Sequence, residues 1–236
     1  RASSSSDAMP KHFLLAAAFL LAFALGAPGA TSANSVNAEQ WDTRSTPMQI
    51  NGNTHELLLR YVPGDEAWAD RVAAFVPQAI PELEQVIGAP YPGPPVLRVS
   101  EKGGEQLYGA AGRAACNENM CGLAVEPVFY DHVLLHEIGH VWTQAFDNRW
   151  LAEGTAEFAA IDTSRRRLGL RVIEAPAANS TPPSSYPLDH WGRPINLLTA
   201  TDEVLQLEHE GYDRSTRLLQ IIQARNTAAL QGAYAG

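Results

Sequence analysis

The chain predicts an α+β fold: a small mixed sheet packed on helices, followed by a mainly helical C-terminal part. Three observations point there. Short apolar runs bounded by Pro and Gly clusters (residues 54–62, 96–100 and 122–129) read as strands. One long apolar-periodic run, residues 66–87, separates the first two of them and reads as a helix. From Asp131 onward helical spacing dominates, with no proline between Asp131 and Phe146.

In chain order, residues 1–8 read as an upstream extension, and from Met9 the pattern is that of a secretory signal. Lys11 and His12 precede an apolar run over residues 13–25, and small residues end at Ala33, the expected cleavage point. Together residues 1–33 form the extension and signal, which makes the protein secreted or extracytoplasmic, in a periplasm or at a cell surface. An uncleaved N-terminal anchor is the alternative, although the run is short for a span of about 20 residues. After cleavage no membrane span is expected. Residues 34–53 are a polar lead-in, and residues 54–236 are the folded domain, with a sheet part (54–146) and a mainly helical part (147–236).

Within that domain, Pro63-Gly64-Asp65 turns the chain, and Asp65 caps the helix 66–87. Pro77 and Pro81 should kink or split it. Residues 88–95 are a Pro- and Gly-rich loop, and residues 103–113 are glycine-rich and read as irregular. Cys116 and Cys121 are the two cysteines; a disulfide is the expected pairing in an oxidising compartment, since a metal site built on them would lack two further ligands. A helix over residues 150–168, stopped by Gly169, follows the polar turn Asp147-Asn148. Residues 175–200 form a long loop. Asp202 caps a helix to about Glu210, and another begins at Gly211.

The formal net charge of −9 argues against nucleic acid and anionic membranes as partners. Chemistry concentrates at His136-Glu137-Ile138-Gly139-His140. Four residues turn an α-helix by roughly 400°, so the two imidazoles project from one face, one turn apart. So placed, they can grip one Zn²⁺ at about 2.0–2.1 Å each. Glu137 then sits where it can take a proton from water at the ion. A catalytic zinc takes three protein ligands and keeps one open position. Glu153, near the start of the next helix, is placed to be the third.

His-Glu-x-x-His followed by Trp150-Leu151-Ala152-Glu153-Gly154-Thr155-Ala156-Glu157-Phe158 resembles the gluzincin metallopeptidases, especially their M1/M61-like and small peptidase MA-like branches. The resemblance implies a zincin-like fold, Glu153 as the third zinc ligand and Glu157 as the carboxylate that orients a ligand histidine. Only twelve residues separate His140 from Glu153, a compact version of the pattern. Thr143 and Phe146 stand where the metzincin family has its Gly and third His. Tyr212-Asp213-Arg214-Ser215 with Leu218-Leu219 looks like the M1 segment whose tyrosine hydroxyl steadies the oxyanion, a role a phenol suits. Tyr186 is the reserve candidate. In these families an edge strand before the zinc helix pairs with the substrate; residues 121–126 would be that strand, or else an interior one. No Gly-x-Met-Glu-Asn segment stands at a suitable place, which favours endopeptidase over aminopeptidase action.

The other histidines read more plainly. His132 is a residue of the helix start or one that sits behind a ligand, His190 belongs to a surface loop, and His55 and His209 have no spacing that implies chemistry. The expected activity is zinc-dependent hydrolysis of a peptide or protein substrate with Glu137 as general base. Three classes compete with it: a zincin-like protein that only binds peptides or cell-wall components, a zinc hydrolase of a non-peptide substrate, and a structural exported domain.

Overall fold

Strands β1 (Asp42–Ile50), β2 (Asn53–Tyr61), β3 (Val96–Glu101), β4 (Gly112–Cys116) and β5 (Met120–Val125) form one mixed sheet in the computed structural model, in the order β1-β2-β3-β5-β4. The structure describes residues 40–170, 186–192, 196–226 and 232. The expected signal and its cleavage point, and most of the 175–200 loop, lie outside the described residues. No helix among the described residues is long and apolar enough to cross a membrane.

The central pairs β2–β3 and β3–β5 are parallel, and the two outer pairs are antiparallel hairpins. Register aligns one row Leu57–Leu97–Cys121 and the next Leu59–Val99–Leu123–Ala114. Alternate residues share a face of a strand, so these rows give the sheet one apolar side. Helix α1 (Glu66–Ile87) covers β1 and β2 with Val72, Val76, Ile80 and Leu83. Helix α2 (Asp131–Thr143) covers β4 and β5 with Leu134, Leu135, Ile138 and Val141. Sheet and both helices share one core. Helix α3 (Arg149–Asp162) packs on α2, and α4 (Asp202–Arg225) packs on α3. This is the α+β arrangement that the sequence predicts.

Several expectations need correction. The polar lead-in is a strand over Asp42–Ile50, closed onto β2 by an Asn51-Gly52 turn with φ of 51° and 79°. That is the left-handed pair that a tight hairpin requires. Arg44 and Thr46 occupy its sheet-side positions, and Arg44 meets Asp70 of α1, so the strand has no apolar alternation there. Pro47 sits in this edge strand, where a missing N–H costs no sheet bond on the outer side.

Helix α1 is continuous through Pro77 and Pro81. Both prolines are exposed and four residues apart, so the carbonyls they leave unbonded lie on the solvent side. The stretch read as irregular, 103–113, ends in the first residues of β4. Residues 121–126 are not the edge: β5 lies between β3 and β4, and β4 takes the edge position. The helix after α2 changes to a π turn over Thr163–Arg167 before Gly169 closes it at φ 60°.

The two C-terminal helices are one. Thr201, not Asp202, caps α4 through Val204 N–H, and the helix runs on through Gly211. There the indole of Trp191 presses so close that a Cβ would fall 2.2 Å from it. Glycine is thus a packing residue inside α4 and not a break.

Candidate metal centre

His136 and His140 lie on the inner face of α2, their ring centroids 4.7 Å apart. Glu153 reaches them from the first turns of α3. Helix α3 stands close to α4 because Gly154, next to that carboxylate, has no Cβ; one would lie 2.7 Å from Ser215. Three atoms converge. The two Nε2 atoms are 3.1 Å apart, and Glu153 Oε2 is 3.3 Å from each. A tetrahedral ion with bonds of about 2.0–2.1 Å would hold its ligand atoms about 3.3–3.4 Å apart. Among the described residues this is the one group of three or more His, Cys, Asp or Glu that converges in this way.

The partners of the two Nδ1 atoms set which way each imidazole faces. Glu157 Oε2 lies 2.9 Å from His136 Nδ1 and, being an acceptor, takes its proton, so Nε2 points inward. The other oxygen, Oε1, meets His132 Nε2 at 3.1 Å. His132 thus sits behind His136, with Glu157 between them. Thr143 Oγ1 lies 3.1 Å from His140 Nδ1 and can accept its N–H. The centre therefore offers two imidazole nitrogens and a carboxylate oxygen to one point, a nitrogen and oxygen donor set that fits zinc.

Charge in the pocket tells the same story. Burial works against a charged His136, yet hydrogen bonds to Glu153 and Glu157 outweigh it and hold its pKa well above the ordinary imidazole value. Burial also works against ionised Glu153, but His136 and His140 pull its pKa far below the usual carboxylate range. Glu157 is lowered in the same way by His132 and His136, against its own burial.

Glu137 is buried on α2 beside His136. The backbone of β4 comes against it at Gly112, where a Cβ would stand 2.5 Å from Glu137 Oε1. Tyr212, on α4, donates its hydroxyl to Glu153 Oε2 at 2.9 Å. Burial, then the charge of Glu153, pushes its pKa well above the ordinary phenol value, so it stays a hydrogen donor.

The structure thus brings His136, Glu137, His140, Glu153, Glu157 and Tyr212 together around one point. The reserve candidate Tyr186 does not join them; it is 38% exposed and donates to the backbone carbonyl of His190. His190 is exposed, His209 is exposed, and His55 faces Pro94 O. Cys116 and Cys121 form a disulfide across the β4–β5 hairpin, at directly opposed positions.

Sequence reasoning missed Gly112, Thr143 and Arg149. Thr143 was detectable from its three-residue spacing after His140, and Arg149 from its four-residue spacing before Glu153. Gly112 gave no signal, because its role depends on β4 crossing beside α2.

No family model matches the chain, and no curated protein matches it. Among solved structures it is similar to the M1 zinc metallopeptidase from Deinococcus radiodurans. Against a crystal structure of a mutant of that enzyme the TM-score is 0.57 at 21% identity, covering 83% of this chain and 44% of the other. A second crystal structure of the enzyme matches at TM-score 0.42 and 20% identity, over 56% of this chain and 30% of that one. The chain spans less than half the length of the solved protein it matches. At this identity the likeness establishes the fold, which is zincin-like.

Proposed function

We propose that this zincin-like chain is an exported zinc metallopeptidase that hydrolyses peptide bonds. The observation that carries the reading is the convergence of His136 Nε2, His140 Nε2 and Glu153 Oε2 on one point, next to a buried carboxylate on the same helix. His136, His140 and Glu153 would hold the ion, with Glu157 and Thr143 fixing the two imidazoles from behind. Zinc held there supplies Lewis acidity, which polarises a carbonyl and acidifies water.

The chain's own residues do the rest. Glu137 accepts the proton of the attacking water and returns it to the leaving amine. Its place against Gly112 leaves the carboxylate little room to turn. Tyr212, protonated at any ordinary pH, donates to the negative oxygen that develops on the scissile carbonyl. Its present acceptor, Glu153 Oε2, puts the hydroxyl beside the three converging atoms. Beyond β5, strand β4 carries no further strand partner among the described residues, and an extended peptide added there would run past Glu137.

Glu137→Gln is the direct test. The full chain should retain one zinc per molecule and lose at least a hundredfold in peptide-library turnover, the scale of a lost general base. Cleavage unchanged in the variant removes Glu137 from its role. Zinc bound with no cleavage of any peptide by the unaltered chain leaves peptide binding or a non-peptide substrate as the function.

A further inference from the structure

Helices α3 and α4 face each other through two pairs. Arg149 and Glu153 lie one turn apart on α3; Glu208 and Tyr212 lie one turn apart on α4. Tyr212 meets Glu153 at Oε2, and Arg149 meets Glu208 through two parallel hydrogen bonds of 2.7 and 2.6 Å. The same guanidinium donates to the Gly192 carbonyl at 2.6 Å and lies over the Trp191 ring, 4.1 Å from its centroid. Trp191 in turn donates its indole N–H to Glu208 Oε1 at 2.9 Å. A planar fork bound along one edge and stacked on one face has a single orientation.

That orientation aims the Arg149 Nε at Glu153. It lies 3.8 Å from Oε1, the carboxylate oxygen that does not face the imidazoles, and makes no hydrogen bond among the described residues. The Arg149 and Glu208 side chains are 14% and 11% exposed. A buried ion pair is a poor stabiliser in itself, because desolvating two charges offsets most of their attraction. What this pair does supply is a fixed positive charge on one side of one carboxylate.

We propose that Arg149, locked by Glu208, Gly192 and Trp191, is a positioning residue: it draws Oε1 of Glu153 to itself and leaves Oε2 alone for the metal. The proposal rests on the metal reading given above. A carboxylate free to rotate could offer both oxygens and fill the coordination position that a catalytic site must keep open. Arg149 prevents this by claiming the second oxygen, and Tyr212 shares the first.

Cobalt(II) in place of zinc reports coordination number directly, independently of turnover. The full chain, stripped of metal and loaded with one equivalent of cobalt, should show the intense visible bands of a four-coordinate ion. In Arg149→Met/Glu208→Gln the charge is gone, no buried carboxylate is left unpaired, and Trp191 keeps an acceptor. Its bands should weaken to the five-coordinate form, and cobalt affinity should fall ten- to a hundredfold, as for other partners behind a metal ligand. Wild-type bands and affinity in that variant overturn the proposal, even where its melting temperature has dropped, because the pair would then only tie two helices together. Should the double variant not fold, Arg149→Lys serves, since it keeps the charge but not the fork; weakened bands support the assignment and unchanged bands overturn it. Failure of the unaltered chain to take up cobalt overturns the metal reading and, with it, this proposal.

Discussion

A single missing carbon at Gly112 decides how the β4 backbone meets Glu137. Gly112→Ala forces a methyl to within 2.5 Å of a carboxylate oxygen that is itself buried, so the carboxylate must swing away. Peptide turnover should fall at least tenfold while zinc content stays at one per chain, and the fold should lose about 1–3 kcal/mol from overpacking. Unchanged turnover would mean that the Glu137 carboxylate has freedom the packing does not show.

His136 carries the pH dependence. Burial opposes its charge, but Glu153 and Glu157 raise its folded pKa above the unfolded one. In the metal-free chain the charged form therefore stabilises the fold fully below the ordinary imidazole pKa of about 6.5, and this stabilisation is lost as pH rises through the folded value. The carboxylates run the other way: Glu153 and Glu157 are depressed, so their contribution is present above their ordinary values and lost in acid. A zinc ion bound there would need the neutral imidazole and would displace such a proton. Calorimetry at pH 7 in buffers of different ionisation heat should show protons released as zinc binds, and affinity should weaken as pH falls. Binding without proton release would contradict the raised His136 pKa.

Among the elements, the β4–β5 hairpin has the most to hold, since β4 is an edge strand that also forms one wall of the centre. The Cys116–Cys121 disulfide closes a short loop across it. Replacing both cysteines by serine should cost about 2 kcal/mol, the chain-entropy value for so short a loop. The denaturant midpoint with and without the bridge reads this; equal midpoints would show that β4 is held by its strand bonds alone. The elements also show what a linear pattern conveys. Alternation in Leu57, Leu59 and Tyr61 exposed β2 plainly, whereas β1 carries Arg44 and Thr46 on its buried side and lost its signal, although Asn51-Gly52 announced the hairpin. Gly211 looked like a helix break because its partner, the Trp191 indole, lies outside α4. Strand order was not legible, for a period of two residues says which side a residue faces but not which strand lies beside it.

At the scale of the whole molecule, the centre was legible to the extent that its chemistry is local. His136, Glu137 and His140 share one helix, where spacing alone sets the two imidazoles on one face; Glu153 and Glu157 share the next, and there the role of Glu157 came from the resemblance. Tyr212, 59 residues beyond Glu153, came only through resemblance, and the Arg149–Glu208 pair, separated by 59 residues as well, not at all. Such pairs depend on how α3 crosses α4, which Gly154 and Ser215 set by contact and not by periodicity. Three helices and a sheet edge thus converge on one small volume, and an ion bound there would tie α2 to α3. Diffraction from zinc-loaded crystals of the full chain, collected across the zinc absorption edge, locates that ion without reference to any activity. One anomalous peak should appear about 2.0–2.2 Å from His136 Nε2, His140 Nε2 and Glu153 Oε2. No peak in that pocket, with the Glu153 carboxylate turned away from the imidazoles, would contradict it.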